Sequence, residues 1–257
     1  MKKLLLLLLM IIIIPSIAAS YISIQSQITT TNNGTIIKVT NLGDEAAYNV
    51  QLSLDINNKK TISNVKERLG IQKSFEWKVP LAAKPKNPGK YPLILTTNYQ
   101  DANFYPFSAI SVSAFDYKQS TISDIAAKIN NIELSDEGTL ELTIKNLADT
   151  AKNIDIRLIV PKELTADKEK LRAKLPAKTQ STIHFEIKKF SALVGSSYVV
   201  FAIIEYDENN KHYTTMASGV VKIVKSSIFS LQKLIIFVII TIIVVLFVYF
   251  TMFRKRK

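Results

Sequence analysis

The chain has 257 residues, of which 47% are hydrophobic and 21% are charged, a balance that excludes disorder over most of its length. It has no cysteine and two histidines, which excludes disulfides and cysteine- or histidine-rich metal sites. Of its 33 Lys and Arg residues, seven lie beside the apolar segments at the two ends of the chain. The remaining 26 compare with 21 Asp and Glu residues. That is an ordinary surface balance, so the net charge of +12 does not indicate a nucleic-acid partner.

Residues 1–19 have the pattern of a secretory signal peptide. Two lysines precede an unbroken apolar run over residues 4–14, which is too short to cross ~30 Å of hydrocarbon as a helix. Pro15 ends this run, and small residues up to Ala19 provide a signal peptidase site. We therefore expect cleavage after Ala19 and an extracellular mature chain.

Between residues 20 and 225, apolar residues alternate with polar ones instead of recurring at helical spacing. The alternation is clearest over residues 50–56, 140–144 and 183–187, each the pattern of a strand with one buried and one solvated face. Polar turn sequences, such as Asp-Glu-Asn-Asn at 207–210, separate these runs. Short strands separated in this way indicate an antiparallel β-sandwich.

One sequence pattern occurs twice, at residues 41–54 and again at residues 146–158. When the two copies are aligned with a one-residue gap, both have the pattern Asn-Leu-x-Asp, then Ala, then Asn-[Val/Ile]-x-apolar-x-Leu. A repeat at this distance has the size of a domain rather than of a solenoid unit. We therefore predict two domains, at 20–115 and 116–225. In each, the Asn-Leu segment is expected to form a corner between two strands, with side chains that satisfy local backbone groups.

The first copy resembles a known family of surface domains. Residues 35–54, 75–79 and 88–91 resemble the cell-adhesion-related domain found in bacteria (CARDB) and related immunoglobulin-like sandwiches of archaeal and bacterial surface proteins. The second copy is similar to sandwich modules of secreted glycosidases, and there is a similarity to luminal sandwich subunits of the translocon-associated complex. The second copy departs from the pattern of the first at two points. Ala148 stands in place of Gly43, and the Pro88-Gly89 pair of the first copy has no counterpart in the second. The resemblance implies an immunoglobulin-like fold outside the cell, a role in adhesion, presentation or spacing, and no catalytic residues.

Residues 226–253 are predicted to form a stem and a transmembrane helix. The 20 residues at 234–253 carry no charge and as a helix cover ~30 Å. The basic tail at 254–257 resists translocation, which places the C-terminus in the cytoplasm and the body outside the plasma membrane. The predicted fold class is thus all-β: two tandem immunoglobulin-like antiparallel β-sandwiches followed by one C-terminal transmembrane α-helix.

Several residues could in principle take part in binding or catalysis, but each has a simpler structural interpretation. Trp77 lies on the apolar face of a strand pattern and is expected in the core rather than stacked on a sugar. His184 is expected on the solvated face of its strand. His212 follows the acidic turn at 207–210. This turn lacks the residue spacing of a calcium-binding loop, so we expect a hairpin turn. With no catalytic motif in the chain, we predict a protein that is not an enzyme, with no catalytic residue, cofactor or metal site.

Three surface segments are candidates for modification or recognition. Asn33 begins an Asn-Gly-Thr sequon on a predicted turn and is a candidate for glycosylation. Residues 162–178 contain six cations and three acids and are predicted to be a solvated loop or short helix; the alternative is contact with anionic lipid or envelope polymers. Residues 80–89 contain three prolines and are predicted to form an extended loop suited to recognition.

These features lead to two main functional hypotheses, ranked above a third, a substrate-tethering domain separated from a secreted hydrolase. The first is a membrane-anchored extracellular binding, adhesion or scaffold protein whose partner is a cell-envelope glycan or surface protein. The alternative is an accessory subunit of a membrane complex (secretion, translocon or glycosylation machinery) whose partners are other integral membrane proteins. The apolar segment 234–253 has no Gly, Ala or Ser, the small residues that helix docking favours, and this indicates a plain anchor.

Overall fold

Over the residues that it describes, the computed structural model shows a body of 17 strands, which confirms the all-β prediction for this part of the chain. The described residues are 21–31, 34–80 and 85–225, together with the helical residues Ile239 and Ile242. The first strands are β1 (Ile24–Thr31), β2 (Gly34–Asn41), β3 (Ala47–Ile56), β4 (Lys59–Ile62), β5 (Lys66–Leu69), β6 (Ser74–Val79), β7 (Gly89–Gln100) and β8 (Pro106–Tyr117). The others are β9 (Ile125–Ile129), β10 (Ile132–Leu134), β11 (Glu137–Asn146), β12 (Lys152–Ile159), β13 (Leu164–Ala166), β14 (Lys170–Leu175), β15 (Gln180–Lys189), β16 (Ser197–Glu208) and β17 (Lys211–Ile223).

Several sequence predictions fall outside the described residues. These are the signal peptide at 1–19, the glycosylation candidate Asn33, the basic tail at 254–257 and, apart from Ile239 and Ile242, the stem and helix at 226–253. In the part of the chain that the structure describes, no helix has both the length and the apolar character needed to cross a bilayer.

The N-terminal half, β1 to β8, is a β-sandwich. One layer has the strand order β1-β2-β6, and in the other β3 lies between β7 and the short strands β4 and β5, with β8 paired to β7. All these pairs are antiparallel. The alternation over residues 50–56 turns Val50, Leu52, Leu54 and Ile56 inward, as predicted. They meet Ile37, Val39, Val79, Leu93, Leu95 and Phe115 in one apolar core.

The C-terminal half, β9 to β17, repeats this layout. One layer has the order β13-β15-β11-β9, and the other runs β14-β12-β16-β17, with β10 added in parallel to β17. The predicted alternations over 140–144 and 183–187 supply β11 and β15, whose inward residues share a core with those of β12 and β16. Its fully enclosed members include Leu140, Leu142, Phe185, Ile187, Val200 and Ile204.

Asn41 ties the two layers of the N-terminal half together at the corner between β2 and β3. Its side chain is completely buried. Nδ2 donates hydrogen bonds to the carbonyl oxygens of Glu45 (2.7 Å) and of Leu69 (3.3 Å), the last residue of β5 in the opposite layer. Oδ1 accepts a bond from the Gly43 amide at 3.0 Å. The amide thus satisfies corner groups that would otherwise be buried without partners.

Asn146 makes the same tie in the C-terminal half. Nδ2 donates to the carbonyl oxygens of Thr150 (2.8 Å), Leu175 (3.2 Å) and Pro176 (2.9 Å), and Oδ1 accepts from the Ala148 amide (3.0 Å). Leu175 ends β14, so this bond again joins opposite layers. The predicted strand–corner–strand unit is therefore present in both copies.

The two halves lie side by side. β7 and β17 run parallel and pair at Gly89 and His212, so strands of both halves join in one ten-stranded sheet. The short linker at 118–124 and the turn at 209–210 lie near this point, at what we call the linker end. Ile223 lies at the other end, the exit end, about 40 Å away at ~3.3 Å per strand residue.

Candidate functional site

The junction between the halves has a small apolar core of its own. Ile94 and Ile110, from β7 and β8, contact Ile203 of β16. These side chains point away from the two main cores, so each half uses an outer sheet face to meet the other. Val112, Ile159, Phe201 and Met216 surround them. The two halves are therefore in direct apolar contact away from their main cores.

A buried carboxylate crosses the junction beside this core. Glu163, 1% exposed, accepts hydrogen bonds from the Ser108 amide at Oε1 and from the Ser108 hydroxyl at Oε2, the latter at 2.7 Å. Ser108 Oγ in turn accepts from the Lys162 amide at 2.9 Å. These hydrogen bonds link Glu163 of the C-terminal half to Ser108 of the N-terminal half beside the apolar contact.

At the linker end, His212 is enclosed by groups from both halves. Its ring stacks on Tyr91 with centroids 4.1 Å apart and an 8° angle between planes. Nδ1 lies 2.9 Å from Asp207 Oδ1, and Nε2 lies 3.2 Å from Glu205 Oε1. Arg157 Nη2 donates to the other oxygen of Glu205 at 2.8 Å. The result is an alternating chain of positive and negative groups.

This arrangement shifts three pKa values. Burial opposes protonation of His212, but hydrogen bonds to Glu205 and Asp207 and the charges of these acids outweigh burial and raise the pKa of His212. Burial also opposes ionisation of Glu205, yet its bonds to His212 and the charge of Arg157 lower the pKa of Glu205. Burial, followed by the charge of Asp207, raises the pKa of Tyr91.

Beside this cluster the halves enclose a polar groove of about 580 Å³. One wall is the β3–β4 turn of the N-terminal half, with Asn57 and Asn58. The other wall is the outer face of β12 and β14. From it project Asp155, Arg157, Lys170 and Arg172, with Glu205 and His212 behind them. We call this the junction groove.

The cations of the junction groove differ in how firmly they are held. Arg172 Nε donates a hydrogen bond to Asp155 Oδ1 at 2.7 Å. This hydrogen bond and the negative charge of Asp155 raise the pKa of Arg172. Arg157 is bound to Glu205 as described above. Lys170 has no ion-pair partner among the described residues. The groove therefore presents oriented N–H donors and one available cation, which suits a ligand rich in hydroxyl or carboxylate oxygens.

The structure places the predicted site residues apart from one another. Trp77 on β6 packs against the N-terminal core, which confirms the core interpretation. His184 on β15 is exposed, with Nδ1 3.9 Å from Glu141, as expected for a solvated strand face. Of these residues, His212 alone lines the junction groove.

The acidic turn at 207–210 closes the β16–β17 hairpin, with Asn209 and Asn210 at φ of 50° and 57°. Its carboxylates face protein cations: Asp207 bonds to His212, and Glu208 bonds to Lys152 at 2.5 Å. Within the described ranges, no three His, Cys, Asp or Glu residues are grouped as a metal site would need.

The prediction of a loop or short helix over residues 162–178 is wrong, because the segment contains β13 and β14. β14 is an edge strand whose Lys170, Arg172 and Lys174 point outward, where water solvates their charges. The loop predicted at 80–89 agrees with the connection from β6 to β7, of which residues 81–84 lie outside the described part.

Sequence reasoning missed Glu163, Tyr91 and Arg157. Glu163 and Arg157 read as ordinary surface charges, and Tyr91 as one of ten tyrosines. No local sequence signal marked these three residues, because their partners lie on other strands.

We expect the stability of the protein to fall as the pH rises through the neutral range. The folded-state pKa of His212 is raised above 6.5, so its stabilising contribution is complete below about pH 6.5 and is lost as pH rises through the folded value. Glu205 acts in the opposite direction, because its lowered pKa makes its contribution disappear only under acid conditions.

Thermal unfolding of the full chain in detergent, followed by Trp77 fluorescence and near-UV circular dichroism, measures this effect. The midpoint should decrease by roughly 2–4 °C for each kcal/mol lost between about pH 6 and pH 9. His212→Gln should flatten this slope, whereas His184→Gln, on an exposed strand face, should leave it unchanged. Equal slopes in the parent protein and His212→Gln would show that the cluster is not responsible.

No protein-family model and no curated protein matches the chain. Among solved structures it is similar to an alpha-2-macroglobulin variant from Salmonella, with 11% identity and a TM-score of 0.32 over 79% of this chain and 16% of that one. Native Escherichia coli alpha-2-macroglobulin gives 11% and 0.33 over 79% and 17%. The elastase-activated form gives 10% and 0.32 over 80% and 22%. The chain spans less than a quarter of these proteins, and likeness at this level has no bearing on its function.

Proposed function

We propose that the protein is a single-pass plasma-membrane protein that binds envelope material through two tandem immunoglobulin-like domains and does not catalyse a reaction. Its ectodomain lies outside the membrane and its C-terminus lies in the cytoplasm. The apolar segments at 4–14 and 234–253 and the terminal cations support this topology. The CARDB-like residue pattern supports a role at the surface of an archaeal or bacterial cell.

The observation that carries the binding role is the junction groove. It exists because the halves pack side by side, and both halves contribute to its walls. Its lining is polar, its arginines are oriented by carboxylates, and Lys170 remains available to a ligand. A cell-envelope glycan bearing acidic groups, or an acidic segment of a surface protein, fits this chemistry.

Photo-crosslinking in intact native cells tests this role. A photoreactive amino acid in place of Asn153, beside Asp155 on the outer face of β12, reports on the edge of the junction groove and leaves Lys170 and Arg172 in place. The same group at His184, on the exposed face of β15, is the matched control. We expect crosslinks to envelope glycan or surface protein from position 153 and few from position 184. Adding Arg172→Gln should reduce the yield from position 153 at least about tenfold, because a charge-assisted hydrogen bond is worth ~1.5–3 kcal/mol.

The other outcomes separate the two functional hypotheses. Crosslinks from position 153 to integral membrane proteins would support the accessory-subunit role in a membrane complex instead. Equal yields from both positions would show that the junction groove is not the binding site.

A further inference from the structure

The exit end of the body is the end from which the chain continues toward the predicted transmembrane helix. β17 ends at Ile223, and residues 226–233 separate Lys225 from Leu234, where the uncharged run begins. Eight residues span at most ~30 Å. On the proposed single-pass topology, on which this inference rests, the exit end is therefore close to the bilayer.

The loop at 190–196 displays apolar side chains directly beside this point. The Gly195 amide donates to the Ile223 carbonyl oxygen, and the Ile223 amide donates to the Ser196 carbonyl oxygen, both at 2.8 Å. Phe190 is 75% exposed, and Val194 is 57% exposed. Leu193 is exposed as well. A loop anchored in this way holds its apolar side chains in water at a free-energy cost of ~25 cal/mol for each Å².

The N-terminal half adds a second aromatic side chain at the same end. Phe104, in the loop between β7 and β8, is 70% exposed and has a φ of 63°, an unusual conformation for a bulky residue. The hydroxyl of its neighbour Tyr105 donates to the Ser191 carbonyl oxygen at 2.6 Å. This bond joins the two loops, so exposed aromatic residues from both halves lie at the same end of the body.

Charges around the exit end are compatible with lipid headgroups. The acids of the C-terminal half that lie nearest are each paired with a lysine: Glu133 with Lys222 (3.0 Å), Asp136 with Lys189 (2.9 Å) and Glu137 with Lys188 (3.2 Å). In the N-terminal half, Asp44 and Asp101 accept bonds from backbone amides. Lys225 is exposed with no ion-pair partner among the described residues.

We propose that the exit end rests on the lipid surface, with Phe104, Phe190, Leu193 and Val194 inserted at the boundary between headgroups and acyl chains. Aromatic and aliphatic side chains favour this zone, and basic residues beside them add attraction to anionic lipids. The contact fixes the side-by-side body upright, so that the junction groove, toward the linker end, faces away from the membrane. A bilayer is favoured over a protein partner because β17, to which the 190–196 loop is bonded, leads through residues 224–233 to the apolar segment at 234–253.

Depth-dependent fluorescence quenching tests the contact in the full chain. The protein has no cysteine, so Leu193→Cys, Ile122→Cys and Val245→Cys each provide a single labelling site. Ile122, 86% exposed at the linker end, is the matched apolar control, and Val245 reports on the predicted transmembrane helix. Each variant carries an environment-sensitive fluorophore in dilute vesicles of phosphatidylcholine and phosphatidylglycerol, with and without lipids brominated near the headgroup or at mid-chain.

We expect the label at position 193 to lose about half of its emission to lipids brominated near the headgroup, because interfacial residues lie ~5–10 Å inside that boundary. The label at position 122 should not be quenched. If position 245 is quenched by mid-chain bromine while position 193 behaves like position 122, the anchor stands and the lipid contact is wrong. A label at position 193 that is shielded from water but not quenched by lipid would show that a second copy covers this end, which also overturns the proposal. Absence of quenching at position 245 would overturn the proposed topology and the contact together.

Discussion

Replacing Asn146 by alanine is expected to cost the C-terminal half about 3–5 kcal/mol of its free energy of unfolding, since it removes several hydrogen bonds and leaves buried backbone groups unsatisfied at ~1–3 kcal/mol each. Those groups are the carbonyls of Thr150, Leu175 and Pro176 and the amide of Ala148. Because Leu175 lies in the opposite layer, the variant also loosens the contact between layers.

Urea unfolding of the full chain in detergent measures this loss by near-UV circular dichroism. The matched control is Asn153→Ala, an exposed asparagine on β12, which should change the unfolding free energy by less than about 0.5 kcal/mol. Asn41→Ala should have a comparable effect on the N-terminal half, which Trp77 fluorescence reports. Losses below about 1 kcal/mol in both asparagine variants would mean that water replaces the amide and that the corner does not depend on it.

Replacing Gly89 by alanine is expected to detach the two halves from each other. Gly89 has a φ of +144°, and a Cβ there would lie 2.1 Å from the carbonyl oxygen of His212. β7 would therefore have to move away from β17, breaking the bond from the His212 amide to Pro88 O (2.9 Å) and that from the Thr214 hydroxyl to Lys90 O (2.6 Å). We expect a loss of roughly 3 kcal/mol or more, with most of it at the junction.

Spin labels across the junction groove, at Asn58→Cys and Arg172→Cys, detect this detachment. The distance distribution should be narrow in the parent protein and broad after Gly89→Ala. Gly70→Ala is the control, because its Cβ would meet only the flexible Lys73 side chain, at 3.4 Å. A narrow distribution in Gly89→Ala would show that the apolar contact around Ile203 is sufficient to hold the halves together. The same variant should also lose crosslinking from position 153, since the junction groove needs both walls.

Much of each half could be predicted from local sequence. The alternations over 50–56 and 140–144 place their apolar residues in the two cores, because a strand sends every second side chain to the same face. The duplicated Asn-Leu pattern predicted a corner satisfied by side chains, and Asn41 and Asn146 form it. The prediction over 162–178 was wrong because it gave the high charge of the segment more weight than its alternation of polar and apolar residues. Polar and apolar residues alternate from Lys170 to Leu175, and an edge strand tolerates lysines on its solvated face.

The sequence by itself determined the alternating strands of the two cores, the repeat and the corners, since these depend on neighbours a few residues apart. It also carries the apolar segments on which the proposed topology rests. Only the tertiary structure decided that the halves lie side by side, that Glu163 is buried under Ser108 and that His212 stacks on Tyr91. Contacts such as that of Thr214 with Lys90 join residues 124 positions apart, and no local pattern specifies such a partner. The junction groove and the apolar exit end arise from these long-range contacts, so the surfaces that we propose to be functional are properties of the assembled fold.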